Sequence, residues 1–235
     1  MGRGLCRFFI NILLFGCFIA FGIAHDIKTG RIPVAAEWNP WTPLDLTLRD
    51  TKVQSWKVAR ARANPDHCRA ALSRVASAST LPDFTPSPTC SIKGGVILAS
   101  LGAARLEPLK TRCALAMDLY LWEQNSVRPA ARDIFGTDLR RIDHFGSYSC
   151  RKIAGSRYWS KHARAEAIDI AGFRLANGRH ITLLSGWDGK ADERAFLRRI
   201  RDGACDYFGG VLSPDYNAAH ADHFHFDFSR WNFCR

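Results

Sequence analysis

Several patterns that would assign this chain to a common class are missing from it. Its eight cysteines include no C-x-x-C pair, and none of its eight histidines begins an H-E-x-x-H motif. No internal repeat, low-complexity segment or proline-rich repeat is present, although the chain has 10 prolines. These absences argue against a cysteine zinc knuckle, a metal site on a single helix and a repeat array.

Long apolar runs are confined to the N-terminus. Residues 8–24 are almost entirely apolar, and the basic Arg3 and Arg7 precede them. Gly22 and Ala24 fit the small-x-small pattern of a cleaved signal peptide, whereas an uncleaved helix would be an anchor with its basic end in the cytoplasm. Both alternatives predict that the rest of the chain is exported to the periplasm, either secreted or anchored to the inner membrane.

Cysteine usage agrees with export. Cys6 and Cys17 lie in the N-terminal segment 1–24, which leaves an even number spread over the exported part. An oxidising compartment then favours three disulfides, and fifteen pairings are possible. The six cysteines are Cys68, Cys90, Cys113, Cys150, Cys205 and Cys234.

Acidic residues are scarce relative to basic ones. The chain has 33 Lys and Arg against 22 Asp and Glu, a formal net charge of +11. Such a surface attracts polyanions. Because the protein is predicted to be exported, we expect an anionic cell-envelope polymer or membrane lipid headgroups and no nucleic acid; a basic surface without a specific partner is the alternative.

Three segments are predicted. Residues 1–24 form a signal peptide or N-terminal membrane anchor, and residues 25–50 form an extended tether with three prolines and no clear periodicity. Residues 51–235 form one α+β domain, long enough to bury a core. Its predicted elements are a short helix starting near Asn64, helices over 111–125, 130–135 and 191–205, and strands over 140–150, 167–173 and 223–228.

The clearest strand pattern is His-Phe-His-Phe-Asp-Phe at residues 223–228. In a strand, alternate residues share a face, so His223, His225 and Asp227 face one way and the phenylalanines face the core. His225 is then a candidate metal ligand, with His223 beside it. Asp222, where the strand begins, is placed to approach a water on the metal.

His162 and Asp169 complete a candidate metal site. They are seven residues apart, too far for one helical turn, so we predict that a loop leads from His162 into a strand carrying Asp169. With His225 they form a His-Asp-His set that favours Zn²⁺ and also suits other divalent metals. Three protein ligands leave a position for water, as in hydrolytic sites. The predicted fold is therefore α+β, with a small antiparallel sheet carrying this site, flanked by helices and stapled by disulfides.

These motifs resemble a known family. Ser-x-His-x-x-x-x-Ala-x-Asp at residues 160–169, followed by His-x-His at 223–225, resembles the LAS zinc metallopeptidases, which include D-alanyl-D-alanine carboxypeptidases, murein endopeptidases and the hedgehog fold. Within that group the chain looks most like the bacterial extensin-like C-terminal family. The further matching segments are 148–151, 185–188, 201–205 and 214–220.

The resemblance implies a role for each residue of the site. It makes His162, Asp169 and His225 the metal ligands, Asp222 the general base, His223 a companion histidine and Arg151 a group near the substrate or the developing oxyanion. His220 and Asp227 are competing candidates for the base. Two positions depart from the usual pattern: Ala165 replaces a glycine, and Asp222 stands where many relatives have the longer glutamate.

The expected function is hydrolysis. An exported zinc-dependent peptidase or amidase would cut peptide bonds of peptidoglycan, as a carboxypeptidase or an endopeptidase, and the basic surface would favour this anionic substrate. The alternative is a non-catalytic, zinc-stabilised module that binds the cell envelope. A disulfide-stapled structural protein without metal would leave the His-x-His motif unexplained.

Overall fold

A computed structural model describes residues 2–229 and 232–235, with side chains from residue 7 onward. The chain divides into two compact units, Met1–Ala59 and Arg60–Arg235. The predicted division into anchor, tether and domain stays a prediction, and each unit is described by itself.

The first unit begins with a long apolar helix, α1 (Gly2–Lys28). Its stretch Arg7–Lys28 is long and apolar enough to cross a membrane, and an N-terminal signal sequence has the same properties. Together with the disulfides described below, this helix indicates export through a signal or an anchor.

Hydrogen bonds join the proline-containing part of the first unit to the helix α2 (Lys52–Ala63). The hydroxyl of Thr51, just before this helix, accepts from the backbone N–H of Gln54. The ammonium group of Lys57 donates to the carbonyl of Ala36 at 2.9 Å and to the hydroxyl of Thr42 at 2.8 Å. These bonds hold the proline-containing turns against the helix.

The second unit is α+β, as the sequence predicts. Beyond α2, its helices are α3 (Pro65–Leu72), α4 (Cys113–Trp122), α5 (Arg128–Phe135), α6 (Leu183–Gly186) and α7 (Ala191–Ala204). The strands are β1 (Ala78–Leu81), β2 (Gly95–Leu101), β3 (Ala104–Arg112), β4 (Leu139–Gly146), β5 (Ala167–Leu175), β6 (His180–Thr182), β7 (Gly210–Leu212), β8 (Phe224–Asp227) and β9 (Phe233–Cys234).

Local sequence explains where the helices begin and end. Asn64 caps α3, with its side-chain oxygen accepting from the backbone N–H groups of Asp66 and His67, and Pro65 occupies the first turn. A π-helical segment, Glu123–Val127, joins α4 to α5. The helix then ends at Gly136, whose φ of 63° is a left-handed conformation that suits glycine.

The sheet differs from the prediction of a small antiparallel one. The described strands form one mixed sheet in the order β1-β2-β3-β4-β5-β8-β7-β9, with β6 also paired to β5. The pairs β3–β4 and β7–β9 are parallel. Two features hide the β3–β4 pair from the sequence pattern. Parallel strands are joined by a long crossover, here the α4–α5 segment, so the two strands are far apart in the sequence. Pro108 also interrupts the strand pattern of β3.

An aromatic core lies beneath the strands that carry the site. Trp122 of α4 packs against Phe226 of β8 at 5.1 Å between ring centroids and against Phe173 of β5 at 6.1 Å. Its indole N–H donates to the carbonyl of Ile200 in α7 at 2.8 Å. This packing fixes β5 and β8 against the helices and so fixes the opposite face, where the polar residues lie.

The three predicted disulfides are present. They join Cys68 to Cys113, Cys90 to Cys150, and Cys205 to Cys234. The second ties the segment before the His162 loop to the start of the sheet, and the third ties the C-terminal strand to the end of α7. Both therefore restrain segments that border the candidate site.

Candidate metal centre

Strands β5 and β8 bring two of the candidate ligands together. The strands are antiparallel, and their register places Asp169 directly opposite His225. Phe224 and Phe226 are fully buried on the core side of β8. The alternation read from the sequence is therefore confirmed: the phenylalanines anchor the strand and the polar residues face away from the core.

A short helical turn supplies the third candidate. His162 lies in the 3-10 turn Lys161–Arg164, which Ser160 caps by accepting from the backbone N–H of His162. The turn ends at Ala165, whose φ of 50° is left-handed. Glycine adopts this conformation without steric cost, whereas the alanine here adopts it with some strain.

The ligand trio, defined as His162, Asp169 and His225, forms a tight triangle of donor atoms. Nε2 of His162 lies 3.1 Å from Oδ1 of Asp169 and 3.1 Å from Nδ1 of His225. The third side, from Nδ1 of His225 to Oδ1 of Asp169, is 2.9 Å. Ligand atoms around a tetrahedral zinc with bonds near 2.0–2.1 Å are about 3.3–3.4 Å apart. The triangle is only slightly smaller, so these residues fit a metal of this size.

Outer hydrogen bonds aim the lone pairs of both imidazoles at the centre. Nδ1 of His162 lies 2.9 Å from the carbonyl oxygen of Ser147, which can only accept, so Nδ1 carries the proton and Nε2 is a free acceptor. Nε2 of His225 lies 3.2 Å from Oδ2 of Asp227, so in the neutral ring Nδ1 is the free acceptor. Two nitrogen lone pairs and the Asp169 carboxylate thus converge on one point, as around a cation.

The close contacts within the ligand trio shift the pKa values of Asp169 and His225. Burial raises the pKa of Asp169, but its close contacts with the imidazoles of His162 and His225 outweigh this and hold it well below its usual range. Burial lowers the pKa of His225, yet its bonds to Asp169 and Asp227 raise it to about 9. A divalent cation bound here would favour the deprotonated forms of all three side chains.

Asp222 and His223 form a pair beside the trio. Oδ1 of Asp222 accepts from Nδ1 of His223 at 2.8 Å. The other nitrogen, Nε2, points toward the trio and lies 3.6 Å from Oδ1 of Asp169. The carboxylate of Asp222 is about half exposed, whereas His223 is largely covered. The nitrogen that faces the centre is thus held in place by Asp222.

The other predicted candidates occupy different places. Asp227 contacts the outer nitrogen of His225 and accepts from the backbone N–H of Ser229 at 2.7 Å, so it orients a ligand. His220 donates from Nδ1 to Asn217, and burial followed by the charges of His223 and His225 lowers its pKa to about 4. The side chain of Arg151 is exposed and makes no hydrogen bond or ion pair with the described residues.

Replacing Asp227 with asparagine is expected to weaken zinc binding by about 10–100-fold, the usual cost of losing an outer partner. The amide N–H₂ of asparagine would donate to Nε2 of His225 and move the ring proton to Nδ1, which removes the lone pair from the centre. Competition with a chromophoric chelator measures the affinity. Asp206→Asn, at an exposed carboxylate, is the matched control. Equal zinc affinity in D227N and D206N would contradict this role for Asp227.

The sequence gives no signal that two further residues, Ser147 and Phe145, belong to the site. Ser147 acts through its backbone carbonyl, which leaves no mark on residue type. Phe145, at 62% exposed, packs its ring 5.8 Å from that of His223. Its place on the outer face of β4 becomes visible only once β4 is paired with β5.

Comparison with protein families matches residues 66–235 to the family described as Extensin-like protein C-terminus. The matched range contains all of the ligand trio, the Asp222–His223 pair and the six disulfide-bonded cysteines. No curated protein matches the chain. No solved structure matches it either.

Proposed function

The chain belongs to the extensin-like protein C-terminus family, and we propose that it is an exported, zinc-dependent peptidase or amidase acting on the peptide bonds of peptidoglycan. The observation that carries the proposal is the ligand trio with the Asp222–His223 pair beside it. A purely structural metal site is usually closed by four protein ligands, whereas hydrolytic sites have three. Three ligand atoms lie together here.

The proposal draws on the resemblance to the LAS zinc metallopeptidases. The motif order is the same, and the resembling residues lie at the centre. Ala165 ends the turn in a left-handed conformation that suits glycine, so this departure is compatible with the turn. Arg151 contributes less support because its guanidinium has no contact with the trio; we keep it as a candidate substrate contact.

Zinc held by His162, Asp169 and His225 would supply two things: a lower pKa for water at the centre, toward about 7, and polarisation of the scissile carbonyl. The chain itself supplies proton handling. Asp222 holds the proton of His223 on Nδ1, so Nε2 is free to accept a proton at the centre and to return it to a leaving amine. The Asp222 carboxylate stabilises the charge that His223 then carries, as the carboxylate of a catalytic triad does for its histidine. Asp222 acting directly as the base is the simpler alternative.

The proposed substrate follows from charge and location. The chain carries a net charge of +11, and the N-terminal helix and the disulfides indicate export. A polyanion with peptide crosslinks in that compartment, such as peptidoglycan, matches both the basic surface and a centre suited to amide hydrolysis.

The test is cleavage of purified muropeptides by the full chain in detergent, with products identified by mass spectrometry. We expect the wild type to release a defined fragment and Asp222→Asn to be slower by about 10²–10⁴-fold with unchanged zinc content. Asp206→Asn should match the wild type. Stoichiometric zinc without cleavage of any crosslink type would contradict the peptidase and favour the binding module. Equal rates for D222N and the wild type would remove Asp222 from the mechanism.

A further inference from the structure

A continuous row of rings crosses the candidate metal centre. We call it the aromatic row; consecutive ring centroids are 5.8, 5.1, 5.4 and 5.5 Å apart. Its members, in order, are Phe145, His223, His220, Tyr216 and Phe233. The row passes beside the ligand trio, because Nε2 of His223 lies 3.6 Å from Oδ1 of Asp169.

The aromatic row is exposed at both ends. Phe145 is 62% exposed, Tyr216 is 44% exposed and Phe233 is 37% exposed. Exposed aromatic rings grouped beside a polar centre are typical of ligand-binding surfaces, whereas isolated ones need no explanation. The two histidines between the exposed rings are partly covered, and they connect these rings to the site.

The exposed rings are held by the fold. Phe145 lies on β4, whose partner β5 carries Asp169. The loop with Tyr216 is fixed through Asp215, which accepts from the indole N–H of Trp187 at 2.8 Å and pairs with Arg198 at 3.0 Å. A surface that is already ordered loses little conformational entropy when a ligand binds.

We propose that the aromatic row binds the sugar rings of a glycan strand, so that a peptide attached to the strand reaches the metal centre. The rings are tilted by 43–83° to their neighbours and present faces and edges in turn. This suits a sugar, whose faces are C–H groups that pack on aromatic rings and whose edges carry hydroxyls. The part of the inference that concerns the peptide rests on the proposed function.

Spacing and charge favour a glycan over an extended peptide. The ring spacing is close to the length of one sugar unit in an extended strand. A polyproline helix, the peptide form that docks on aromatic rows, repeats only every three residues, or about 9 Å. A cation also lies at one end of the row: the guanidinium of Arg235 is 5.7 Å from the centre of the Phe233 ring. A carboxylate-bearing glycan complements that charge and the +11 of the chain.

The test measures binding of the full chain in detergent to glycan strands stripped of their peptides, which contain no bond for a peptidase to cut. Phe145→Ala and Tyr216→Ala should each weaken binding by about threefold to tenfold, the scale of one aromatic contact, and the double variant by more. Tyr158→Ala, 62% exposed and outside the row, is the matched control. Unchanged melting temperatures show that the variants are folded.

Equal glycan binding by the double variant and the wild type would overturn the inference. Row-dependent binding of a proline-rich peptide, with no binding of glycan, would also overturn it. Because the probe has no peptide, these outcomes are independent of hydrolysis. If muropeptides are cleaved but glycan binding does not depend on the aromatic row, the proposed peptidase function is retained and the inference about the row is wrong. If glycan binding depends on the row but no muropeptide is cleaved, the inference about the row is retained and the peptidase function is wrong.

Discussion

Replacing Asp169 with alanine is expected to abolish the tight zinc binding that we propose, with a loss well beyond the roughly 10–100-fold expected for an outer partner. Asp169 supplies the only negative charge within the ligand trio, and its Oδ1 lies 2.9–3.1 Å from both imidazole ligand atoms. Two neutral imidazoles alone form a weak site for zinc in competition with water. Equilibrium dialysis of the full chain against buffered zinc measures the loss.

The same variant separates zinc binding from folding. At free zinc about 1,000-fold above the dissociation constant, the wild type should gain about 4 kcal/mol of stability from the metal. D169A should gain almost none, while Asp206→Ala should gain as much as the wild type. Wild-type zinc affinity in D169A would show that the three residues are a hydrogen-bonded cluster with no metal function.

Replacing Arg62 with alanine is expected to cost about 3–5 kcal/mol of unfolding free energy at neutral pH, because it leaves a buried carboxylate without its partner. The carboxylate of Asp118 is fully buried, and Nε of Arg62 lies 3.0 and 3.1 Å from its two oxygens. Guanidinium denaturation with the disulfides intact measures the cost. Arg132→Ala breaks an exposed pair with Asp138 and should cost less than about 1 kcal/mol.

The pH dependence gives that prediction a second test. Burial raises the pKa of Asp118 to about 6 despite the opposing charge of Arg62, compared with an ordinary value of 3.8. The folded state therefore binds this proton more readily, so the stability due to Asp118 is greatest below its ordinary pKa and is lost as pH rises through about 6. Without Arg62 the pKa rises further. The cost of R62A should thus be smaller near pH 4.5 than near pH 7.5; an equal cost at both would contradict it.

The sequence predicts the strand that carries His225 better than it predicts the whole sheet. The alternation at 223–228 places His225 and Asp227 on one face because phenylalanine must be buried in a half-exposed strand, and this holds in β8. The short helix near Asn64 and the presence of three disulfides are also confirmed. Each of these signals is local or depends on residue type alone.

What the sequence misses depends on contacts between distant segments. The parallel pairing of β3 with β4 needs the α4–α5 crossover, which no short-range pattern encodes. Asp227 shares the polar face of β8 and is a candidate base by position, yet its contact with the outer nitrogen of His225 makes it an orienting group. The carbonyl of Ser147, which fixes the ring of His162, has no side-chain signature.

The most direct test of the account is the metal content of the full chain, purified with its disulfides intact, dialysed against buffered zinc and measured by elemental mass spectrometry. We predict about one zinc per chain, released by a strong chelator, in keeping with a centre of three protein ligands. A well-folded protein that takes up no zinc, or any other divalent metal, would contradict the central claim that His162, Asp169 and His225 form a metal centre.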